Sequence, residues 1–285
     1  MSIGSAGRLY VVATPIGNLG DLSVRAREVL RSVATIAAED TRHTGILLKH
    51  FGITTPQVSL HDHNERQRAG EMIERLRGGA SIALVSDAGT PAISDPGFEL
   101  VRAAAAAEIE IIAVPGPCAA IAALSIGGLP TDRFCFEGFL PARGSARRKR
   151  LESLAREMRT LVIYESPHRI LETLGDCGAA FGEARLAAVV REITKLHETT
   201  YRGSLRDLAV RAGADPDFGR GETVLLVAGC PEAPEEGALD KVLKVLLTEL
   251  PLKQAARLGA QIAGARDNEA YKRALHLRQE SASHS

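Results

Sequence analysis

The stretch LVSDAGTPAISDPG, residues 84–97, decides how the rest of this chain is read. It sets a β-like apolar run against a loop holding Gly89, Pro91, Pro96 and Gly97, with carboxylates at Asp87 and Asp95. Glycine and proline punctuate chains, and Asp and Ser bond to nearby backbone, so a long turn is one reading. The other is a loop that lets a ligand lie directly against main-chain atoms. Two further segments share the composition, ATPIGNLGD (13–21) and VPGPCAA (114–120), and each follows an apolar strand and precedes a helical pattern. In an open α/β sheet the carboxyl ends of the strands form the crevice where ligands bind. Gly and Ala leave room for backbone groups to touch a ligand, and Pro sets the loop shape in advance. Three such loops on one domain point to a small-molecule site.

The surrounding chain fits that architecture. Strand-like runs at 8–14, 35–40, 81–87 and 110–116 alternate with helical patterns at 22–31, 64–79 and 97–107, which predicts α/β with a largely parallel sheet. The pattern restarts after GGLPTD (127–132), with strands expected at 133–140, 160–166, 184–192, 198–203 and 222–229 and helices at 145–157, 168–181 and 204–212. The expected domains are therefore 1–127 and 128–230, both α/β, followed by a linker and helical module over 231–285. CPEAPEEGA (230–238) reads as the linker. Beyond it, two turn signals divide a strand-free stretch into three helices, with eight Lys/Arg against five Asp/Glu over 238–285. That bias suits a helix-turn-helix module, and it equally suits a helical cap packed on the main body.

Composition narrows the function classes. Apolar residues make up 45% of the chain and charged residues 25%, the usage of a globular protein. The net charge is zero, so any hold on nucleic acid must come from local patches. The four cysteines, Cys118, Cys135, Cys177 and Cys230, are widely spaced, which favours reduced thiols and a cytoplasmic location. The N-terminal residues lack the pattern of a signal peptide. The uncharged stretch 111–131 is interrupted by Pro115–Pro117 and by Gly127, Gly128 and Pro130, so it reads as strand, loop and short buried helix and not as a membrane span.

Other segments carry candidate chemistry. ATPIGNLGD contains neither GxGxxG nor GxxxxGK[ST], which argues against a dinucleotide fold or a P-loop. VIYESPHR (162–169) and VVREITKLHE (189–198) place Glu165, His168, Lys195, His197 and Glu198 just after strands. They are either cleft residues or strand-end salt bridges and solvated turns. In AEDTRHTG (38–45), Asp40 or Thr41 suits a helix N-cap, while Arg42 opposes the helix dipole unless an anion lies nearby. His61, Asp62 and His63 raise a metal site, but no third distant ligand is evident and none is expected. The basic run ARGSARRKR (142–150) holds Arg143, Arg147, Arg148, Lys149 and Arg150, either a solvated helix face or a contact with phosphates.

Together LYVVATPIGNLGDLSVRA, AAEDTRHTGILLKHFGI, LHDHNE, LVSDAGTPAISDPG, AVPGPCAAIAALSIGGLPTDRFCFEGFLP, IYESPHR and REITKLHE resemble the bacterial 16S ribosomal RNA cytidine 2′-O-methyltransferases, of the tetrapyrrole-methylase-like class III methyltransferase family. The resemblance runs from about residue 8 to residue 278. It implies two α/β domains around a cleft for S-adenosylmethionine (SAM), a homodimer, and 16S rRNA or the 30S subunit as substrate. Carried over by motif, the cofactor contacts are Pro15, Gly89, Thr90, Ile93, Cys118, Ala119, Glu165 and Ile193. Lys195 is expected near the reacting hydroxyl, Arg42 on an RNA phosphate, and Asp40 or Glu198 orienting them. ATPIGNLGD stands where tetrapyrrole methylases usually have a GxGPGD-like loop, which favours the RNA branch over a porphyrinoid methylase. A small-molecule methylase would have no use for the basic run, and a non-enzymatic RNA-binding protein would leave the three crevice loops unexplained.

Overall fold

The computed structural model describes residues 7–231, 238–263 and 265–282. The chain divides into two compact units, Met1–Gly229 and Cys230–Ser285. The expected linker falls mostly on residues 232–237, outside the described residues.

The larger unit opens with β1 (Leu9–Val12), α1 (Val24–Ser32), β2 (Thr35–Ala38), α2 (Thr41–His50), β3 (Gln57–Ser59), α3 (Glu65–Arg77), β4 (Ile82–Val85), α4 (Phe98–Ala106) and β5 (Ile111–Val114). The strands are short and apolar, and β2 and β4 are buried along their whole length, as parallel strands covered on both faces must be. Their order is β3-β2-β4-β1-β5, with every pairing parallel. Strands β4, β1 and β5 are therefore neighbours, and the three glycine- and proline-bearing loops emerge side by side from one edge. Leu30, Ile36 and Leu48 pack on one face of the sheet, and Leu9, Leu76, Ile82 and Leu100 on the other.

The chain continues with α5 (Ala119–Gly127), β6 (Phe134–Phe139), α6 (Gly144–Leu154), β7 (Thr160–Glu165), α7 (Ile170–Phe181), β8 (Leu186–Arg191), β9 (Thr199–Ser204), α8 (Leu205–Ala214) and β10 (Thr223–Val227). The second sheet has the order β6-β7-β10-β8-β9 and is mixed: the β6–β7 pairing is parallel and the other three are antiparallel. A domain boundary at residue 127 would assign α5 to the first sheet. Its buried face, Ala120, Ala123 and Leu124, instead packs on Val162, Ala188, Val190, Val224 and Leu226 of the second. Gly127 permits this approach, since a Cβ there would lie 2.2 Å from Leu226 Cδ1. Arg202 donates to the carbonyls of Ile126 and Gly127 and so satisfies the end of the helix.

In the smaller unit, α9 (Ala238–Glu249), α10 (Leu252–Ala263) and α11 (Asp267–Ala282) enclose Leu243, Ala256, Ala274 and Leu277. Gly259 lets α10 come close to α9, where a Cβ would stand 2.6 Å from Leu243 Cδ2.

Candidate active site

The loop after β4 is held in shape from three sides. Thr14 and Gly89 exchange backbone hydrogen bonds of 2.8 and 3.1 Å, tying it to the loop after β1. The Thr90 hydroxyl donates to the Pro117 carbonyl at 3.1 Å, tying it to the loop after β5. At its exit, the buried Glu65 carboxylate accepts from the backbone N–H groups of Gly97, Glu99 and Leu100 at 3.1, 2.6 and 3.1 Å. Gly97 has no side chain with which to cap α4, so a glutamate from α3 does so. That gives the HDHNE segment a structural task. His61 and His63 meet edge-on at 5.9 Å, and among the described residues no group of three or more His, Cys, Asp or Glu is placed to hold a metal.

This bracing supports strained backbone. Gly89 has φ +84°, and a Cβ there would meet Ile16 Cγ2 at 3.3 Å. Ala92 and Ser94 are left-handed at φ 67° and 64°, and across the cleft Glu192 and Thr194 are at 52° and 65°. Non-glycine residues adopt this conformation at a cost of about 1–3 kcal/mol each and cluster where geometry is fixed for function.

Between the two sheets lies a cavity of about 360 Å³, within the range of small-molecule sites. The first half contributes Ile16, Gly89, Thr90, Ile93, Cys118 and Ala119 to its wall, and the second half contributes Phe139, Tyr164, Glu165, Ile193 and Thr223. Seven of the eight residues expected at a cofactor site therefore line it. Pro15 does not; its neighbour Ile16 forms the wall.

The mixed topology accounts for wall residues that the strand-end rule misses. Because β10 runs antiparallel to β7 and β8, Thr223 pairs with both Glu165 and Arg191. The beginning of β10, with Glu222, Thr223 and Val224, thus joins the ends of β7 and β8 at the cavity. Tyr164 was also missed. Its hydroxyl accepts from the Ala120 N–H at 3.1 Å, its ring packs edge-on against Phe136 and Phe139, and burial pushes its pKa up.

The charged residues sort differently from the sequence expectation. The Glu165 carboxylate is fully enclosed and committed, accepting from the Ser166 N–H at 2.8 Å and the Thr173 hydroxyl at 2.7 Å, with Arg169 at 3.3 Å. Lys195 Nζ lies 3.0 Å from both Glu192 and Glu222. Burial disfavours its charge, but the hydrogen bonds to Glu192 and Glu222 outweigh that and raise its pKa. Lys195 is therefore a held cation and not a neutral base. Its stem covers Gly17, where a Cβ would come within 2.4 Å of Cγ. Glu198 accepts from the Thr194 N–H at 2.5 Å, and the Thr194 hydroxyl donates to Asp21 at 2.5 Å, so Glu198 orients this loop and not Lys195 itself.

Asp40 caps α2 through the Arg42 N–H at 2.8 Å and pairs with the Arg42 guanidinium at 2.7 Å. Those bonds hold its carboxyl far below the usual range, so it is a poor proton acceptor. Arg42 itself is 90% exposed, oriented but open to an anion.

In the basic run, Arg143, Arg148, Lys149 and Arg150 are exposed on or before α6, with Arg150 paired to Glu137 at 2.6 Å. Arg147 is the correction. Its side chain is only 3% exposed and holds Asp176 at 2.7 Å and Glu172 at 3.1 Å, so it locks α6 to α7 and is not available to a phosphate.

Known proteins decide the family. The family described as Tetrapyrrole (Corrin/Porphyrin) Methylases matches residues 8–209, most of the chain. The chain belongs to the tetrapyrrole methylase family. Residues 232–278 match a second family, described as RsmI C-terminal HTH domain, and the three terminal helices fall within or close to that match. Over 275 residues the chain is 54% identical to a Pseudomonas aeruginosa protein named Ribosomal RNA small subunit methyltransferase I, covering 95% of this chain and 98% of that one. It is 51% identical over 273 residues to the protein of the same name from Escherichia coli O157:H7, covering 95% and 96%. Among solved structures it resembles the methyltransferase CobJ, with TM-score 0.58 and 22% identity over 79% of this chain and 95% of that one. Uroporphyrin-III-C-methyltransferase from Thermus thermophilus gives TM-score 0.54 and 22% identity over 78% and 94%. At such identities the structural likeness speaks for the tetrapyrrole methylase fold alone. Among the described residues, no helix is long and apolar enough to cross a membrane.

Proposed function

We propose that this protein transfers a methyl group from SAM to the ribose 2′-hydroxyl of a cytidine in 16S rRNA, acting on the small ribosomal subunit as a cytoplasmic homodimer. The observation that carries the reading is the inter-sheet cavity, walled by the motif loops, in a chain about half identical to proteins named as small-subunit rRNA methyltransferases. The cavity suits the cofactor. Gly89 leaves open the space a Cβ would fill, small or apolar side chains form most of the wall, and Thr90, Tyr164 and Thr223 add a few polar groups. Gly89, Thr90, Ile93, Cys118, Ala119 and Ile193 would hold it, with Glu165 contributing through backbone because its carboxylate is engaged. Bound there, SAM supplies an electrophilic methyl group on a cationic sulfur.

The remaining work falls to the chain. A ribose hydroxyl is a weak nucleophile, so placing it against the methyl group is the larger part of the task. Lys195, fixed by Glu192 and Glu222, is suited to stabilise negative charge developing on that oxygen. Arg42, Arg143, Arg148, Lys149 and Arg150 are suited to hold RNA phosphates, although Arg150 must first leave Glu137. The exposed cations and the helix-turn-helix module favour RNA over a porphyrinoid acceptor, which would leave both without a task. The reading is tested by offering labelled SAM with 16S rRNA, 30S particles or a uroporphyrinoid to the purified protein. Label in RNA from either ribosomal substrate supports it, and label in the porphyrinoid alone sinks it.

A further inference from the structure

We propose that Asp95 is the proton acceptor for the attacking hydroxyl. This rests on the methyl-transfer reading above. Two other carboxylates of the candidate site are otherwise engaged: Asp40 is paired with Arg42, and Glu198 accepts from the Thr194 N–H. Asp95 lies in the cavity wall itself. Its loop is held by two left-handed non-glycine residues, Ala92 and Ser94, the second directly preceding it. Strain at such positions persists only where the surroundings fix the backbone, and Asp95 follows directly on this segment in the cavity wall.

The groups around Asp95 are nearly all acidic. Glu39 follows β2, Asp87 follows β4 and Asp62 follows β3, and all three oppose its ionisation, while Tyr164 from β7 is near enough to feel its charge. The nearby Ser86 side chain acts the other way. Partial burial is the largest influence, and the outcome is a carboxyl pushed up to about 6. A carboxylate of that basicity is ionised at neutral pH and is a better proton acceptor than an ordinary Asp. The step balances. As the hydroxyl oxygen bonds to the methyl carbon, its O–H bond breaks and the proton passes to Asp95. The electron pair of the broken methyl–sulfur bond stays on sulfur, so one positive and one negative charge disappear together.

Asp95→Asn preserves shape and removes the basicity. Single-turnover methylation of 30S particles, SAM affinity by calorimetry and melting temperature are measured on wild type and variant between pH 5 and 8. The wild-type rate should rise through about pH 6 and level off. The variant should fold, bind SAM within a few-fold of wild type, react about 10²–10⁴-fold more slowly, and lose the acidic limb. A variant rate within three-fold of wild type, or a loss matched by an equal loss of SAM affinity, overturns the assignment to about the precision of such kinetics. If the variant does not fold, a wild-type rate independent of pH over this range overturns it instead. Absence of methyl transfer by the wild type would be a failure of the proposed function, and the two failures are thereby distinguished.

Discussion

Arg147→Met should cost stability and leave RNA affinity alone, although it lies in the middle of the basic run. The guanidinium is 3% exposed and bonds to Asp176 at 2.7 Å and Glu172 at 3.1 Å. Breaking a buried ion pair costs about 3–5 kcal/mol because a charge is left uncompensated. The Glu172 side chain is 71% exposed, so its share is close to that of a surface pair, about 0–1 kcal/mol. Asp176 is 15% exposed and keeps Arg148 at 3.7 Å, which softens its loss. The expected cost is therefore near the low end, about 3 kcal/mol, and methionine retains much of the stem packing. For a unit of this size that corresponds to about 6–12 °C in melting temperature. Thermal unfolding followed by far-UV circular dichroism measures it, and adding Asp176→Asn should recover part of the loss by removing the stranded charge. An unchanged melting temperature, combined with weaker RNA binding and a shallower salt dependence, would refute the structural role and return Arg147 to the phosphate set.

Replacing Arg143, Arg148 and Lys149 together with Ala should weaken RNA binding and lower its salt slope by about 2–3, with SAM affinity unchanged in calorimetry; a salt slope equal to wild type would make this helix face merely solvated. Gly89→Val forces a β-branched residue to φ +84° with its Cβ 3.3 Å from Ile16 Cγ2. SAM affinity should drop by more than about tenfold with only a modest change in melting, and equal affinity would mean that the cofactor does not approach this backbone. Lys195→Met keeps the stem over Gly17 and removes the ammonium, so SAM binding should persist while turnover falls about 10²–10³-fold. Wild-type turnover in that variant would take Lys195 out of the chemistry.

Much of this organisation is written locally. Parallel β-strands announce themselves as apolar β-branched runs, and the loops at their ends by Gly and Pro, so the three strand-end loops of the first sheet were legible. The short edge strand β3, three residues long and only half-buried, carries too little pattern to be seen. The packing of α5 was hidden for another reason. Its largely apolar, uncharged sequence says that it is buried but not against which sheet. In the second sheet, strand direction is a tertiary property. The rule that ligands meet strand ends finds Glu165 but passes over Glu222 to Val224, because β10 runs the other way. Charge runs are the least legible feature, since a helix turns one cation of a basic cluster inward. Arg147 follows that geometry: its neighbours Arg148 and Lys149 face outward while it meets Asp176, 29 residues away in sequence.

The position of the transferred methyl group tests the central claim most directly. After reaction of the protein with labelled SAM and 30S particles, the 16S rRNA is hydrolysed in alkali and the labelled products are separated. A methylated 2′-hydroxyl cannot attack the adjacent phosphate, so the account predicts label confined to an alkali-resistant dinucleotide whose 5′ residue is cytidine. Label recovered in ordinary mononucleotides, as a methylated base would give, or RNA left unlabelled by a protein that binds SAM, would contradict it.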